Sequence, residues 1–253
     1  NSAGEVAFEG RLSGPGIDMT NDSSIWSGGA GSLKLVAQEG SEAPGTPVGS
    51  VFGASFSDVE LNSSGKVAFK SDFESSGENE TTGKGIWSEG FGELGLVALE
   101  GSQAPGTPVG VNFGLLYSLM LNDFGQVAFS ALLIGNGVDS SNDIGIWAED
   151  RTGVLQLIAR EGDLLEVAPG DFRVISDLHA SFGGGIPPNS DSRKGFNDLG
   201  QFAFAADFTD GSAGVFISDL VAVVPEPSSV VLLAVGLLAF SGRWVRFVRM
   251  PVG

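Results

Sequence analysis

The chain has 253 residues, no cysteine and a formal net charge of −18, so disulfides, thiolate metal sites and cysteine nucleophiles are excluded. The charge is uneven: the part up to Leu220 has 10 basic and 30 acidic residues, and the remainder has three arginines and Glu226. An acidic body repels the phosphate backbone, which argues against nucleic acid as a partner. The 39 glycines and 42 % hydrophobic residues favour a folded core of short strands joined by tight turns.

An eight-residue pattern, Asn-x-x-Gly-x-x-Ala-Phe, occurs four times, which indicates that the chain is built from tandem units. Its asparagines and glycines are Asn1, Gly4, Asn62, Gly65, Asn122, Gly125, Asn197 and Gly200. Asn at the first position and Gly at the last position are typical of a four-residue turn, because Asn bonds its own backbone there. Strand-like sequence flanks each copy, so each copy is predicted to be the turn of a β-hairpin.

Further landmarks follow each turn in a fixed order. An Ile-Trp pair starts at Ile25, Ile86 and Ile146, and a weaker Val-Phe pair starts at Val215. In the first three units an apolar Leu-x-Leu stretch then ends in Glu-Gly, and the first two units share the loop Ala-Pro-Gly-Thr-Pro-Val-Gly. Each period of about 60 residues is therefore predicted to hold four short antiparallel strands.

Four strands per tandem unit are typical of a β-propeller blade. The first unit starts at its turn and lacks an innermost strand, and the fourth has a Gly- and Pro-rich insertion from Phe182 to Lys194 and ends after Ile217. We therefore predict an all-β domain at residues 1–220, an incomplete β-propeller-like array of four-stranded antiparallel units. Because so few blades do not close a ring, we expect the chain to continue upstream; an open stack and a β-sandwich are the alternatives.

The composition changes abruptly after Leu220. Residues 221–229 are predicted to be a linker with a Pro-Glu-Pro motif, and residues 230–253 a hydrophobic anchor helix with a basic tail. The apolar run 230–240 is too short to cross a bilayer, but 228–248 is long enough, with its charges near one end. The arginines there can reach the headgroups, on the cytoplasmic side by the positive-inside bias, so one C-terminal transmembrane helix is predicted; a buried core helix is the alternative.

This segment resembles the PEP-CTERM sorting signal of exosortase substrates. The resemblance rests on three parts in order, namely a sorting motif, a hydrophobic stretch and a basic tail. The motif is Val224, Pro225, Glu226 and Pro227, and the membrane tail contains Arg243, Trp244, Arg246 and Arg249. It implies export, processing by an exosortase-type enzyme, and a bacterial cell-surface location with the body outside the cytoplasm. The Asn-x-x-Gly repeats, in turn, resemble a tandem-repeat family that occurs with such anchors and has no assigned activity.

Few residues in the body point to chemistry. His179 is the only histidine, which excludes a two-histidine metal site, and it is predicted to lie in a loop or at a strand edge. Trp26, Trp87 and Trp147 are suited to stack on sugars if exposed, but their fixed place in a strand favours core packing. The repeated glutamates Glu39, Glu100 and Glu161 are interpreted as acceptors at tight turns.

Acidic, amide-rich loops precede the Ile-Trp pairs. They contain Asp18, Asn21, Asp22, Glu74, Glu78, Glu80, Asp139, Asn142 and Asp143. Clustered oxygens suit Ca²⁺, but the Asp-x-Asp-x-Asp-Gly spacing is absent, so solvated loops are favoured over calcium and no metal or other cofactor is predicted.

We therefore predict a non-catalytic, membrane-anchored surface protein of the envelope or extracellular matrix, with no catalytic residues and with polysaccharide or protein as the ligand. The alternative is a propeller enzyme, a glycan hydrolase or lyase, with its active site in missing upstream repeats. On the strand that follows the turn, Phe129 is predicted to be buried, whereas Lys66 and Gln126 are expected to tolerate substitution.

Overall fold

The computed structural model describes residues 1–75, 82–180 and 195–218, which form fifteen β-strands. The strands are β1 (Val6–Arg11), β2 (Ser23–Gly28), β3 (Lys34–Gln38), β4 (Ser50–Leu61), β5 (Val67–Ser75), β6 (Thr82–Ser88), β7 (Gly95–Leu99), β8 (Val111–Leu121), β9 (Val127–Gly135), β10 (Ile144–Glu149), β11 (Leu155–Arg160), β12 (Leu164–Ala168), β13 (Asp171–Ala180), β14 (Ala203–Phe208) and β15 (Ala213–Ile217). The predicted all-β class is confirmed for these ranges. The predicted linker, anchor helix and insertion lie outside them.

The strands form four antiparallel sheets, one for each copy of the repeat. Sheet 1 has the order β1-β2-β3, sheet 2 β4-β5-β6-β7, sheet 3 β8-β9-β10-β11 and sheet 4 β12-β13-β14-β15. Sheet 1 has three strands, as expected for a unit that starts at its turn. In every sheet the strand after the Asn-x-x-Gly turn pairs with the strand that carries Ile-Trp or Val-Phe.

Sheet 4 has four strands although the fourth repeat ends after Ile217 without an outer strand, because an additional strand precedes β13. This strand, β12, forms a hairpin with β13. In sheets 2 and 3 the corresponding pairing is reduced to the single bridges Glu42–Val51 and Gln103–Asn112. The loops there each contain two prolines, which have no N–H to donate to a longer ladder, whereas β12 contains none.

Each sheet has two chemically different faces, because side chains alternate along a strand. We call the face that carries Val-x-Phe and the tryptophan the front face, and the face that carries the intervening alanine and the isoleucine the back face. On the front face of sheet 3, Phe129 lies opposite Trp147 with the rings stacked, 6.1 Å between centroids and 18° between planes. Sheet 2 repeats this arrangement with Phe69 and Trp87 at 6.2 Å and 18°.

The core consists of three layers in which the back face of one sheet packs on the front face of the next. Ile25 and Ala37 of sheet 1 share a layer with Phe69 and Trp87 of sheet 2. Sheet 2 contributes Ala68, Ile86 and Ala98 to the layer with Phe129 and Trp147, and sheet 3 contributes Ala128, Ile146 and Ala159 to the layer with Phe202, Phe204 and Phe216. The alanines allow neighbouring sheets to approach closely, so each layer pairs a back face with small side chains and a front face with aromatic side chains.

Candidate functional site

The four Asn-x-x-Gly segments lie in equivalent tight turns. The glycine N–H donates to the asparagine carbonyl of its own turn at 3.0–3.2 Å in all four. The asparagine Oδ1 accepts the backbone N–H four residues later, for example from Lys66 at 2.9 Å and from Gln126 at 2.9 Å. The glycines have φ between +73° and +90°, a region that other residues rarely occupy, which explains the glycine at this position.

A hydrogen-bond ladder links the four turns. The side-chain Nδ2 of Asn1 donates to the carbonyl of Asn62 at 3.0 Å, Asn62 donates to Asn122 at 3.0 Å, and Asn122 donates to Asn197 at 2.9 Å. A parallel set joins Ser63 N–H to Asp123 Oδ1 at 2.8 Å, and Asp123 N–H to Asp198 Oδ1 at 2.9 Å. The repeated asparagine therefore does two things: it closes its own turn and binds the turn of the next unit.

The third turn is the most tightly enclosed. A Cβ built on Gly125 lies 2.4 Å from the carbonyl oxygen of Gly90, and a Cβ on Gly90 lies 1.7 Å from the carbonyl oxygen of Gly125. Both contacts are with backbone, so neither can be relieved by rotating a side chain. By contrast, a Cβ on Gly4 has no atom within 4 Å.

The repeated glutamates are backbone acceptors, but they bond the N–H groups of neighbouring strands rather than those of the tight turn that follows them. Glu39 accepts the N–H of Ser23 at 3.1 Å. Glu100 accepts the N–H of Lys84 at 3.0 Å and that of Leu116, in the next sheet, at 3.2 Å. Glu161 likewise accepts backbone N–H groups from Ile144 and from Leu178 of the next sheet. The carboxylates of Glu100 and Glu161 thus join one sheet to the next, whereas that of Glu39 is bonded within sheet 1.

The tryptophans of sheets 2 and 3 are fully buried in the layers between sheets. Their indole N–H groups donate to loop carbonyls of the preceding unit, Trp87 to Pro44 at 2.9 Å and Trp147 to Pro105 at 3.0 Å. Trp26, which has no preceding unit among the described residues, is half-buried and donates to Ser24 of its own strand at 2.9 Å. Core packing, rather than a sugar-stacking row, is therefore the role of Trp87 and Trp147.

The acidic loops before the Ile-Trp pairs use their oxygens internally. Asp18 accepts the hydroxyl and the N–H of Thr20 at 2.6 and 2.9 Å, and these hydrogen bonds lower its pKa. Asp139 does the same with Ser141 at 2.6 and 2.9 Å. Glu78 and Glu80 lie outside the described ranges. The two described loops are thus self-contained turns.

A cluster not foreseen from the sequence lies on the back face of sheet 4. His179 Nε2 is 3.2 Å from Asp207 Oδ2 and 3.8 Å from Asp177 Oδ2, and all three side chains are about half exposed. The hydrogen bond to Asp207 raises the pKa of His179. Within the described ranges, these are the three acidic or histidine side chains that lie close enough together to share an ion. Their contact also has a structural explanation in the pairing of the strands. Asp177 and Asp207 are direct cross-strand partners, and the histidine offsets their mutual repulsion.

An open groove of about 500 Å³ lies between sheets 3 and 4. Its lining presents polar and apolar surface in similar measure, from Ser140, Ser141, Asn142, Arg160, Glu161, Gly162, Asp163, Val174, Ile175, Ser176 and Thr209. Arg160 is buried and its Nε donates to the carbonyl of Asn142 at 2.8 Å. Burial, with the nearby carboxylates of Asp177 and Asp143, raises the pKa of Glu161. Hydroxyl, amide and charged groups in this groove suit a hydrated, polyhydroxylated ligand.

Gln126 is buried, so the expectation that it tolerates substitution is wrong. Its Oε1 accepts from Asn122 Nδ2 at 2.8 Å, and its Nε2 donates to the carbonyl of Glu149 at 2.8 Å. The Glu149 carboxylate in turn accepts the N–H of Val127 at 2.8 Å. A polar side chain becomes a core residue here because the third turn and the end of β10 supply partners for both of its polar atoms.

Comparison with known protein families shows which family the chain belongs to. A model described as a family of unknown function (DUF7453) matches residues 1–231, which include the whole of the β-repeat body at 1–220. The chain belongs to this family. A second model, the PEP-CTERM protein-sorting motif, matches residues 223–246. No curated protein and no solved structure has a significant match to the chain.

The sorting motif in this DUF7453 member confirms the predicted PEP-CTERM signal. The chain is therefore an exported, surface-associated protein of the cell envelope, with a signal of the kind that exosortases process. The motif residues and the arginine-rich tail lie outside the residues that the structure describes. Within 1–75, 82–180 and 195–218, no helix has the length and apolarity needed to cross a membrane.

The buried carboxyl group of Glu149 makes the stability of the body depend on pH. Burial raises the pKa of Glu149 from 4.5 to about 7, against the lowering effect of the Val127 N–H. The folded chain thus holds this proton more tightly than the unfolded chain, so the associated stability is present below pH 4.5 and is lost as pH rises through about 7. We expect Glu149→Gln to flatten the pH dependence of the urea midpoint between about pH 5 and 8.

The matched control is Glu93→Gln, an exposed glutamate in the loop between β6 and β7. It should keep the wild-type pH profile. If Glu149→Gln unfolds with the same profile as wild type, the carboxyl of Glu149 is not the group responsible.

Proposed function

We propose that the chain is a non-catalytic, membrane-anchored surface protein of the cell envelope or extracellular matrix, with a β-repeat body that binds polysaccharide or protein. The observation that carries the proposal is the sorting motif at 223–246, which directly follows a body whose repeated residues all build the scaffold. The asparagines, glutamates and buried tryptophans of the repeat each serve backbone hydrogen bonding or interlayer packing.

The body, in this proposal, is an incomplete β-propeller-like array. Support comes from the packing of the back faces of sheets 1, 2 and 3 on the front faces that follow them, and from the turns that lie side by side along one edge. Both features are those of blades arranged around an axis. A scaffold of this kind displays loops and inter-blade grooves, which is suited to binding.

The C-terminal segment at 230–253, in this proposal, is a transmembrane helix. Arg243, Arg246 and Arg249 lie on the cytoplasmic side, and the acidic body lies outside. An exosortase-type enzyme is the processing partner, and Val224 to Pro227 is the motif that it recognises. The short linker at 221–229 then places the body close to the membrane surface.

Polysaccharide is the ligand class that the polar groove between sheets 3 and 4 supports best. The exposed hydroxyls of Ser140, Ser176 and Thr209 can exchange hydrogen bonds with sugar hydroxyls. The Asn142 amide and the Ser141 hydroxyl are already bonded within their own loop. The negative charge of the body disfavours strongly anionic polymers. Neutral or cationic glycans are therefore the expected partners.

The proposal is tested by removing the sorting motif in a host that has the matching exosortase. We expect Glu226→Ala combined with Pro227→Ala to abolish processing and to lower protease-accessible body on intact cells by about tenfold or more. A body variant, Glu93→Ala, should reach the surface normally and should co-fractionate with the glycan of the host. Normal surface delivery of the double variant would contradict the assigned role of the motif.

A further inference from the structure

Arg160, at the end of β11, is a buried cation that lines the groove between sheets 3 and 4. It is 8 % exposed, and its Nε donates to the carbonyl of Asn142 at 2.8 Å. Its Nη1 and Nη2 atoms have no hydrogen-bond or ion-pair partner among the described residues. In the same ranges, the buried side-chain polar atoms without a partner are Ser27 Oγ and Ser50 Oγ. The two Arg160 nitrogens therefore reach the solvent in the groove.

The first unit shows how much of the Arg160 side chain the fold needs. Gln38 occupies the same repeat position, and its Nε2 donates to the carbonyl of Asn21 at 2.7 Å. The two loops are built alike, since Asn21 and Asn142 each accept, through Oδ1, the N–H of the aspartate three residues earlier at 2.9 and 3.0 Å. One donor is thus enough to hold this loop on the end of the strand. The loop does not require the outer part of the Arg160 guanidinium.

The hydrogen bond to Asn142 also orients the guanidinium. A guanidinium is planar and its N–H groups have fixed directions, so holding Nε holds the other two nitrogens as well. With Nε occupied, the remaining edge offers one N–H from Nη1 and one from Nη2, side by side. Two parallel donors match two oxygens on adjacent carbon atoms of a ligand. Because the group is already ordered, little conformational entropy is lost on binding.

The charges around the groove decide which pair of oxygens suits this edge. Glu161 and Asp163 line the groove, and Asp143 and Asp177 lie near enough to raise the pKa of Glu161. These acidic residues outnumber the single guanidinium, so a carboxylate on the ligand is repelled by its surroundings. The hydroxyl groups of a neutral sugar carry no such penalty.

We infer that Arg160 is the sugar-binding residue of the groove, with Nη1 and Nη2 donating to two adjacent hydroxyl oxygens of a neutral sugar. The inference rests on the proposed function, in which the body binds polysaccharide, and it names the group that is recognised. The exposed hydroxyls of Ser140, Ser176 and Thr209 lie in the same lining and can bond further hydroxyls of the polymer.

The test measures binding of the full chain, in detergent micelles, to neutral polysaccharide purified from the extracellular matrix of the host. Co-sedimentation over a range of polymer concentrations gives the affinity. Arg160→Gln should weaken binding by about tenfold or more, because two hydrogen bonds are lost. It should keep the melting temperature of wild type, since glutamine can bond the Asn142 carbonyl as Gln38 bonds that of Asn21. Arg160→Lys should also weaken binding, because an ammonium group lacks the fork.

The matched control is Arg151→Gln, which should bind the polymer like wild type. Arg151 is exposed and lies over the ring of Phe124, 5.3 Å from its centroid, and it is not part of the groove lining. The control removes the same charge from the body, so a general effect of charge is separated from the loss of the Arg160 fork.

A second experiment changes the ligand and leaves the protein as wild type. Periodate cleaves the carbon–carbon bond between two hydroxyl-bearing carbons, and borohydride then reduces the aldehydes to hydroxyls. The treated polymer keeps hydroxyl groups but loses adjacent pairs on the sugar ring, and we expect wild type to bind it at least about tenfold more weakly. A uronic-acid polymer of similar length should also bind more weakly than the neutral polymer, because of the carboxylates around the groove.

Binding by Arg160→Gln that equals that of wild type would overturn the inference and leave the proposed function in place. Undiminished binding of the periodate-treated polymer would also overturn it. Tighter binding of the uronic-acid polymer would show that Arg160 recognises a carboxylate instead. If wild type binds none of these polymers, polysaccharide binding in the proposed function fails together with the inference, whereas the role of the sorting motif is unaffected.

Discussion

Replacing Phe129 with alanine is expected to lower the free energy of unfolding by about 3–5 kcal/mol, the range for a buried aromatic truncated in a packed core. Phe129 is completely buried between sheets 2 and 3. Its ring is stacked on Trp147 and lies 5.6 Å from that of Phe113. The small alanines of the facing sheet leave few side chains able to move into the cavity, so the loss should fall in the upper part of the range.

The matched control is Phe8→Ala, which truncates the phenylalanine at the equivalent repeat position on the front face of sheet 1. Because Phe8 is 40 % exposed, its truncation removes less buried surface and should cost less than half as much. Chemical unfolding monitored by tryptophan fluorescence measures both. Equal losses for the two variants would mean that packing between sheets 2 and 3 stabilises Phe129 no more than the partly exposed front face of sheet 1 stabilises Phe8.

Gly125→Ala is expected to destabilise the body by about 3 kcal/mol or more, from two additive causes. A left-handed backbone costs a non-glycine residue about 1–2 kcal/mol. The added Cβ also meets the Gly90 carbonyl at 2.4 Å, an overpacking that costs about 1–3 kcal/mol where backbone must shift. We expect the added methyl group to push the turn that contains Gly125 away from the β6–β7 loop, which contains Gly90.

Three sibling glycines provide graded controls for this effect. Gly4, Gly65 and Gly200 have similar φ values of +78°, +73° and +76°. A Cβ on Gly4 has no atom within 4 Å, a Cβ on Gly65 meets the side chain of Glu5, and a Cβ on Gly200 lies 3.0 Å from the buried side chain of Gln126. The melting temperature should therefore fall least for Gly4→Ala and most for Gly125→Ala. An equal fall in all four would assign the whole cost to backbone conformation.

The repeat units could be predicted from the sequence, because each repeated motif forms its turn or strand from its own residues. Asn-x-x-Gly needs only its own backbone to form a turn, and Val-Ala-Phe alternates as a strand does, so both could be recognised without knowing the neighbours. The number of strands in sheet 1 followed from the position of Asn1 within its repeat. The buried state of Phe69 and Phe129 followed from the apolar character of both faces.

What could not be predicted depends on contacts between units. The asparagine ladder joins residues 60 to 75 positions apart, and its hydrogen bonds use atoms that the turn alone leaves unassigned. Asp207 meets His179 only because of the register of β13 and β14, 28 residues apart. Gln126 resembles a surface residue by type, and only the end of β10 makes it a core residue.

The ladder has a consequence for how the body comes apart. Among the described residues, the ladder bonds each turn to its neighbouring turns and each layer joins two consecutive sheets, so these four sheets behave as a line of coupled elements. An inner sheet is held from both sides, whereas an outer sheet can open after losing a single set of neighbours. Opening should thus spread inward from sheets 1 and 4, and amide protons of sheets 2 and 3 should exchange last.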